Sequence, residues 1–122
     1  MRSENEMPSP QSPLTPAMFN VLLALADGDK HGYAVLKEVS EHTNGEVQLS
    51  TGTLYGIIKR LLVEGLIVEV RNRPAMEGED QRRRYYRLTT RGREVAIAEA
   101  RRMETLIARA RSKRLIRGLK PA

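Results

Sequence analysis

At 122 residues with 40% hydrophobic content, the chain is one domain's worth of protein with a modest core. The absence of cysteine excludes disulfides and thiolate metal sites, and no run approaches the roughly 18 apolar residues that a membrane span needs. The net charge of +6 is unevenly spread: three Lys/Arg against seven Asp/Glu in residues 1–50, eight against five in 51–90, and ten against three in 91–122. A basic patch on part of a small domain is the footprint of a polyanion binder, although a solvated tail has the same composition.

Residues 1–13 carry three prolines and little to bury, and read as a disordered arm. They do not follow the basic-then-apolar order of a signal peptide, so a cytoplasmic location is the expectation. Thr15-Pro16 is an N-cap followed by proline at the first helical position. The helix this predicts, to about Ala26, is apolar nearly all round. Met18, Val21, Leu22 and Leu25 lie on one side and Phe19, Leu23 and Ala26 on another. Such a helix must be covered on both sides, and in so small a domain the second cover is expected from a partner subunit. Asp27-Gly28-Asp29-Lys30 breaks it.

His31-Gly32-Tyr33 leads into a second helix with Val35, Leu36 and Val39 as its apolar positions, ending near His42 before the turn Thr43-Asn44-Gly45. His31 and His42 lack neighbours at metal-ligand spacing and read as ordinary hydrogen-bonding histidines. Val47, Leu49 and Ser50 form a short extended link to the third helix. That helix has Ser50 as N-cap and Gly65 as its C-terminal stop. Leu54, Ile57, Ile58, Leu61 and Leu62 make one buried stripe at helical spacing. The opposite face carries Gly52, Gly56, Lys59 and Val63, flanked by Thr53, Tyr55 and Arg60. Two glycines on an exposed helix face cost roughly 1 kcal/mol each against alanine. The cost makes sense if something must approach the backbone, and such a face suits the major groove of DNA. The bland reading is an amphipathic helix with a solvated face. Two helices joined by a tight segment, the second with an exposed small and polar face, form a helix-turn-helix arrangement.

After Gly65 the periodicity becomes two. Leu66, Val68 and Val70 alternate with Ile67, Glu69, Arg71 and Arg73 as a half-buried strand. Residues 74–81 read as an acidic loop. Residues 82–88 return as a second strand, with Arg84, Tyr86 and Leu88 on one face and Arg83, Tyr85 and Arg87 on the other. This hairpin reads as a wing whose arginines can reach phosphates; a charged edge strand protected from aggregation is the alternative. Thr89-Thr90 caps a last helix to about Arg117, about 40 Å long at 1.5 Å per residue. Ala96, Ala100, Met103, Leu106, Ile107 and Ala110 form its stripe, and Arg91, Arg93, Arg101, Arg102, Arg109, Arg111 and Arg114 crowd its other faces. The stripe suits packing against a partner; a helix folded back over its own domain is the duller alternative.

The fold class expected is mainly α with a small β-hairpin: a winged helix-turn-helix domain over residues 14–90, a C-terminal dimerisation helix over 91–118 and a tail over 119–122. In order, these pieces resemble the PadR family of bacterial transcriptional regulators. The resemblance rests on His31-Gly32-Tyr33, on Gly52-Thr53-Leu54-Tyr55, on Lys59-Arg60-Leu61 through Glu64-Gly65-Leu66-Ile67, and on Arg84-Tyr85-Tyr86-Arg87-Leu88-Thr89 followed by Gly92. It covers roughly residues 14–95. It implies a homodimer built through the first and last helices, repression by operator binding, and release of DNA by a small-molecule effector near the dimer interface. The single short C-terminal helix is like that of the shorter subfamily. The chain has no tryptophan, so a pocket relying on tryptophan stacking is absent, and Ser50-Thr51 stands where many relatives place a proline.

The function expected is a dimeric, sequence-specific DNA-binding repressor recognising double-stranded DNA at a pseudo-palindromic operator. Ser50, Thr51, Gly52, Thr53, Tyr55, Gly56, Lys59 and Arg60 would form the recognition surface. Arg71, Arg73, Arg82 and Arg83 would hold the flanking backbone or minor groove. Phe19 and Leu23 with Ala96, Ala100, Met103, Leu106, Ile107 and Ala110 would form the dimer interface. The other class is a winged-helix protein–protein adaptor or a nonspecific nucleic-acid-binding protein using the arginine-rich last helix. An enzyme is not expected. There is no Ser/His/Asp grouping, no paired carboxylates in an apolar setting and no phosphate-cradling glycine loop, and no cofactor is implied.

Overall fold

A computed structural model of the chain describes residues 14–70 and 83–117. The elements run α1 (Pro16–Ala24), β1 (Lys30–His31), α2 (Gly32–His42), α3 (Thr51–Val63), β2 (Ile67–Val70), β3 (Tyr85–Leu88) and α4 (Thr90–Ser112). The arm over 1–13, the acidic loop and the last residues of the chain lie outside the described residues, as do Arg71, Arg73 and Arg82.

Each helix begins on the cap its sequence offers. The hydroxyl of Thr15 accepts from Met18 N–H, that of Ser50 from Thr53 N–H and that of Thr89 from Gly92 N–H. The side chain capping α2 is less familiar: His31 Nδ1 accepts from Ala34 N–H at 3.1 Å. α1 ends at Ala24, sooner than the apolar run suggests. Lys30 reaches its C-terminal carbonyl, binding Ala24 O and Asp27 together, and also pairs with Glu38 of α2 at 3.3 Å. α3 ends in a glycine-stopped turn. Gly65, at φ +73°, donates to Leu62 O, and Leu66 N–H donates to Leu61 O.

The sheet has three strands in the order β1-β3-β2, all antiparallel, and not the two of the expected hairpin. β1 is two residues long, too short to show any periodicity. It adds to the free edge of β3, with Lys30 opposite Tyr86 and His31 opposite Tyr85. On the other side Ile67 faces Leu88 and Glu69 faces Tyr86. The inward residue of β2 is Ile67, not Val68, which is 45% exposed. Leu66 is buried too, but as the apolar residue closing the α3 turn, so the expected face Leu66-Val68-Val70 is overturned.

The core gathers Met18, Val21, Leu22 and Leu25 of the first helical segment, Val35 and Val39 of α2, and Leu54, Ile58 and Leu61 of α3. Leu66, Ile67, Tyr86, Leu88 and Val95 close it. Leu62, expected in the α3 stripe, lies at its margin and is exposed. Phe19 is buried within the chain itself, which leaves Leu23 as the open apolar residue of α1. α4 docks by its first turns, where Gly92 and Val95 are buried. Beyond Ala96 it runs past the domain. Ile97, Leu106 and Ile107 are exposed there, and Met103 and Ala110 are half-buried.

Candidate nucleic-acid interface

The outer face of α3 stands clear of the protein. A Cβ built on Gly52 or on Gly56 meets nothing within 4 Å, and Thr51, Thr53, Lys59 and Val63 are exposed beside them. Ser50 Oγ, besides capping the helix, donates to Thr53 Oγ1 at 2.9 Å, so the two hydroxyls are held together at the first turn. Neither glycine is demanded by packing inside the chain. The rigid placement comes from the other side of the helix, where Leu54, Ile58 and Leu61 are sealed in the core.

Arg60 departs from this surface. Its Nε pairs with Glu64 at 2.9 Å and its Nη1 lies 3.0 Å from Met18 Sδ, so it folds back along its own helix. At i, i+4 a glutamate in the last turn captures the guanidinium before it can turn outward. Several arginines counted toward a basic surface are likewise used within the chain. Arg87 makes a bidentate pair with Asp29, Arg102 one with Glu99, and Arg93 donates to Ala26 O. The Arg87 and Arg93 bonds tie neighbouring segments together, the Arg102 pair lies within α4, and all three leave the outward positive charge smaller than a residue count suggests.

Between α3 and β3 lies a cleft of about 460 Å³ lined by His31, Gly32, Tyr55, Arg83, Arg84 and Tyr86. Tyr55, half exposed, reaches over Gly32: a Cβ at position 32 would stand 2.8 Å from its hydroxyl. The His31 ring stacks with Tyr33 at 6.5 Å and meets Tyr85 edge-on at 5.3 Å. Arg83 Nη1 is 2.9 Å from His31 Nε2. Burial pushes the Tyr86 phenol above its ordinary value, with Tyr55 and Glu69 adding to the shift.

The transcriptional regulator PadR-like family matches residues 21–98 by its sequence profile, which is most of the described chain. The chain belongs to the PadR-like family. Its members are transcriptional regulators and not enzymes. A 37.1 kDa protein of transposon TN4556 in Streptomyces fradiae is 40% identical over 96 residues, which is 76% of this chain. The chain spans only 24% of that relative's length. A transcriptional regulator from Clostridium thermocellum has the same fold at a TM-score of 0.64 and 28% identity, covering 80% of this chain and 87% of that one. BpsR of Bordetella bronchiseptica, whose DNA binding is regulated by 6-hydroxynicotinic acid, aligns at a TM-score of 0.60 and 26% identity, over 93% of this chain and 74% of its own.

In this PadR-like chain the structure therefore brings Ser50, Thr51, Gly52, Thr53, Tyr55, Gly56 and Lys59 onto one surface and turns Arg60 away from it. Arg83, two residues before β3, lines the cleft beside Tyr55. His31 joins it too, against expectation. Nothing in its spacing marks it, because β1 carries it to the cleft, and β1 has no sequence periodicity of its own. Among the described residues there is no group of three or more His, Asp or Glu side chains that could hold a metal ion. No described helix is long and apolar enough to cross a membrane.

Proposed function

We propose that the protein is a dimeric, sequence-specific DNA-binding repressor in which α3 enters the major groove of each half-site. The observation that carries this reading is the bare outer face of α3, where two glycines have open space in place of any internal contact. With no Cβ at positions 52 and 56, the helix backbone can come closer to base edges than an ordinary helix allows. Thr51, Thr53 and Tyr55 supply hydroxyl and aromatic contacts, and Lys59 a cation, to bases and phosphates. The basic residues of the wing flank this contact and hold the backbone.

Residues 14–90 act as the DNA-binding unit and residues 91–118 as the dimerisation helix. The exposed Leu23, Leu106 and Ile107 support a second copy covering α1 and α4 across a two-fold axis. That symmetry gives a pseudo-palindromic operator with half-site centres roughly 34 Å, or a multiple, apart. The regulation of BpsR DNA binding by 6-hydroxynicotinic acid supports a small-molecule effector that releases DNA from this protein.

Selection of bound fragments from the native genome, followed by binding measurements with the Lys59→Ala variant, tests the reading. A repressor yields a common palindromic site, and the variant loses affinity for that site more than for random DNA. Equal loss on both, or no common site, rejects it in favour of nonspecific binding.

A further inference from the structure

Among the described residues no large apolar side chain is more exposed than Val63, at 79%. It is the last residue of α3, and it lies outside the core cluster. A β-branched residue on an exposed helix face is also a poorer helix former than alanine, so valine there does nothing for the fold. A single exposed apolar residue is ordinary on a protein surface and calls for no explanation by itself. Its place on the helix is what singles it out. At 3.6 residues per turn, Gly52, Gly56, Lys59 and Val63 fall within about 60° of arc. They make one narrow strip along the length of α3, about 16 Å from Gly52 to Val63.

The strip is bare at Gly52 and Gly56, cationic at Lys59 and apolar at Val63. α3 contains no Asp or Glu. The acid that follows it, Glu64, has a buried side chain paired with Arg60 at 2.9 Å. The strip therefore offers a polyanion one cation and no carboxylate to repel it. The order of its residues bears on how the helix meets DNA. A helix that enters the groove by its tip needs a thin backbone only in its first turn, where Gly52 lies. Gly56 in the second turn and Val63 in the last stand on the same line, which fits a helix laid along the groove with its whole strip against the base edges.

We propose that Val63 packs on the C5-methyl of a thymine in each half-site and so selects T·A there without a hydrogen bond. The assignment rests on the repressor reading, in which α3 enters the major groove. The thymine methyl is the apolar group that a base pair presents in that groove. The hydroxyls of Thr51, Thr53 and Tyr55 answer to donors and acceptors; Val63 has neither and answers only to the methyl. A cytosine in the same place would turn its N4 amino group toward an apolar side chain and leave a donor without a partner. From Thr53 to Val63 the helix rises about 15 Å, which spans about four base pairs at roughly 3.4 Å each. The thymine therefore stands about four base pairs from the base that Thr53 meets.

The test uses the full chain and the site recovered by selection of bound genomic fragments. Each thymine of one half-site is replaced in turn by deoxyuridine, which removes the C5-methyl and keeps every hydrogen-bonding group. With the wild-type chain, one of these replacements weakens binding about fourfold, as expected for one methyl returned to water. Val63→Ala acts on both half-sites and weakens binding to the natural site about fifteenfold. It shows no further loss at that one uridine and keeps the wild-type response to the others, so the coupling is confined to a single base. Thr53→Ala retains the wild-type response to the same uridine. Circular dichroism and thermal midpoint of Val63→Ala stay at or above the wild-type values, because the valine packs on nothing in the core. Wild-type affinity in Val63→Ala, or a loss that is the same with and without the methyl at every thymine, overturns the contact. If Lys59→Ala still loses affinity selectively for the recovered site, the repressor reading stands without it. If no common site is recovered and Lys59→Ala loses affinity equally on all DNA, the repressor reading falls and the thymine contact falls with it.

Discussion

Gly92 lies directly against the backbone of Leu66. A Cβ at position 92 would fall 1.9 Å from the Leu66 carbonyl oxygen and 2.8 Å from its carbon. That oxygen already accepts from Thr89 N–H at 3.1 Å, so it is pinned and has nowhere to move. The first turn of α4 is thereby pressed onto the turn that ends α3. Gly92→Ala forces the helix and the turn apart, and overpacking of this kind against immobile backbone costs about 3 kcal/mol or more. Urea denaturation of the variant is expected to show that loss. A loss below about 1 kcal/mol would mean that α4 can slide, and that its dock on the domain is looser than this contact requires.

Gly52 and Gly56 behave in the opposite way, because each has open space where a Cβ would stand. Replacing Gly56 by alanine in the interior of α3 raises helix propensity and stabilises the fold by up to about 1 kcal/mol, and Gly52→Ala in the first turn by less. The same methyl stands on the face that the proposed repressor reading sets against DNA. The expected outcome is a higher thermal midpoint with weaker operator binding, by tenfold or more for Gly56→Ala. A variant that is more stable and binds DNA as tightly as the wild type would show that close backbone approach to the groove does not account for those glycines.

A third glycine separates folding from positioning. Gly32 lies under the Tyr55 hydroxyl, where a Cβ would meet that oxygen at 2.8 Å and the ring carbon bearing it at 3.2 Å. The obstacle is the far end of a half-exposed side chain, so Gly32→Ala is expected to cost about 1 kcal/mol or less as Tyr55 swings aside. DNA binding suffers more than stability, because the displaced hydroxyl no longer lines the cleft. Combining Gly32→Ala with Tyr55→Phe then adds little further loss of binding. Additive losses would show that the two residues act separately.

How much of the fold and the site is legible in the sequence follows from what each signal reports. Caps read directly: Thr15, Ser50 and Thr89 each make the bond their type and position foretell, because capping is settled within four residues. The α3 stop at Gly65 is equally local. Pairings between distant segments are not legible. β1 exists only because β3 offers an edge to it, and the place of His31 in the cleft follows from that pairing. Charge counting misleads for a related reason. Arg60, Arg87 and Arg93 find partners at Glu64, Asp29 and the Ala26 carbonyl, two of them more than fifty residues away in sequence, and composition cannot show which cations are already engaged. The face of β2 differs from its expected alternation because Leu66 belongs to the helix turn and not to the strand, which shifts the pattern by one residue.

Thr89 joins three segments through one hydroxyl, which accepts from Gly92 N–H at 2.9 Å and donates to Gly65 O at 2.7 Å. Thr89→Val preserves the β-branched shape and removes both bonds. Loss of a cap costs about 1 kcal/mol, and the freed Gly65 carbonyl adds to it, so a total of about 2 kcal/mol is expected in chemical denaturation. Thr89→Ser, which keeps the hydroxyl, should recover most of that. Equal losses in the two variants would assign the effect to packing of the methyl group.

The exposed apolar residues of α4 set the last expectation. Leu106 and Ile107 are 44% and 42% exposed on a helix whose remaining surface is dense in arginine, and Leu23 on α1 is 48% exposed. None of the three contributes to the buried core of a single chain, so charging one of them leaves the fold intact. On the dimeric reading proposed above, Leu106→Glu is expected to keep the wild-type circular dichroism while moving the sedimentation mass from dimer to monomer at micromolar concentration. Each monomer then meets one half-site with a single α3, and the advantage of a tethered second contact is lost, which amounts to about a hundredfold or more in operator affinity. A variant that sediments like the wild type and binds the operator equally well would show that the stripe on α4 serves something other than pairing of two copies.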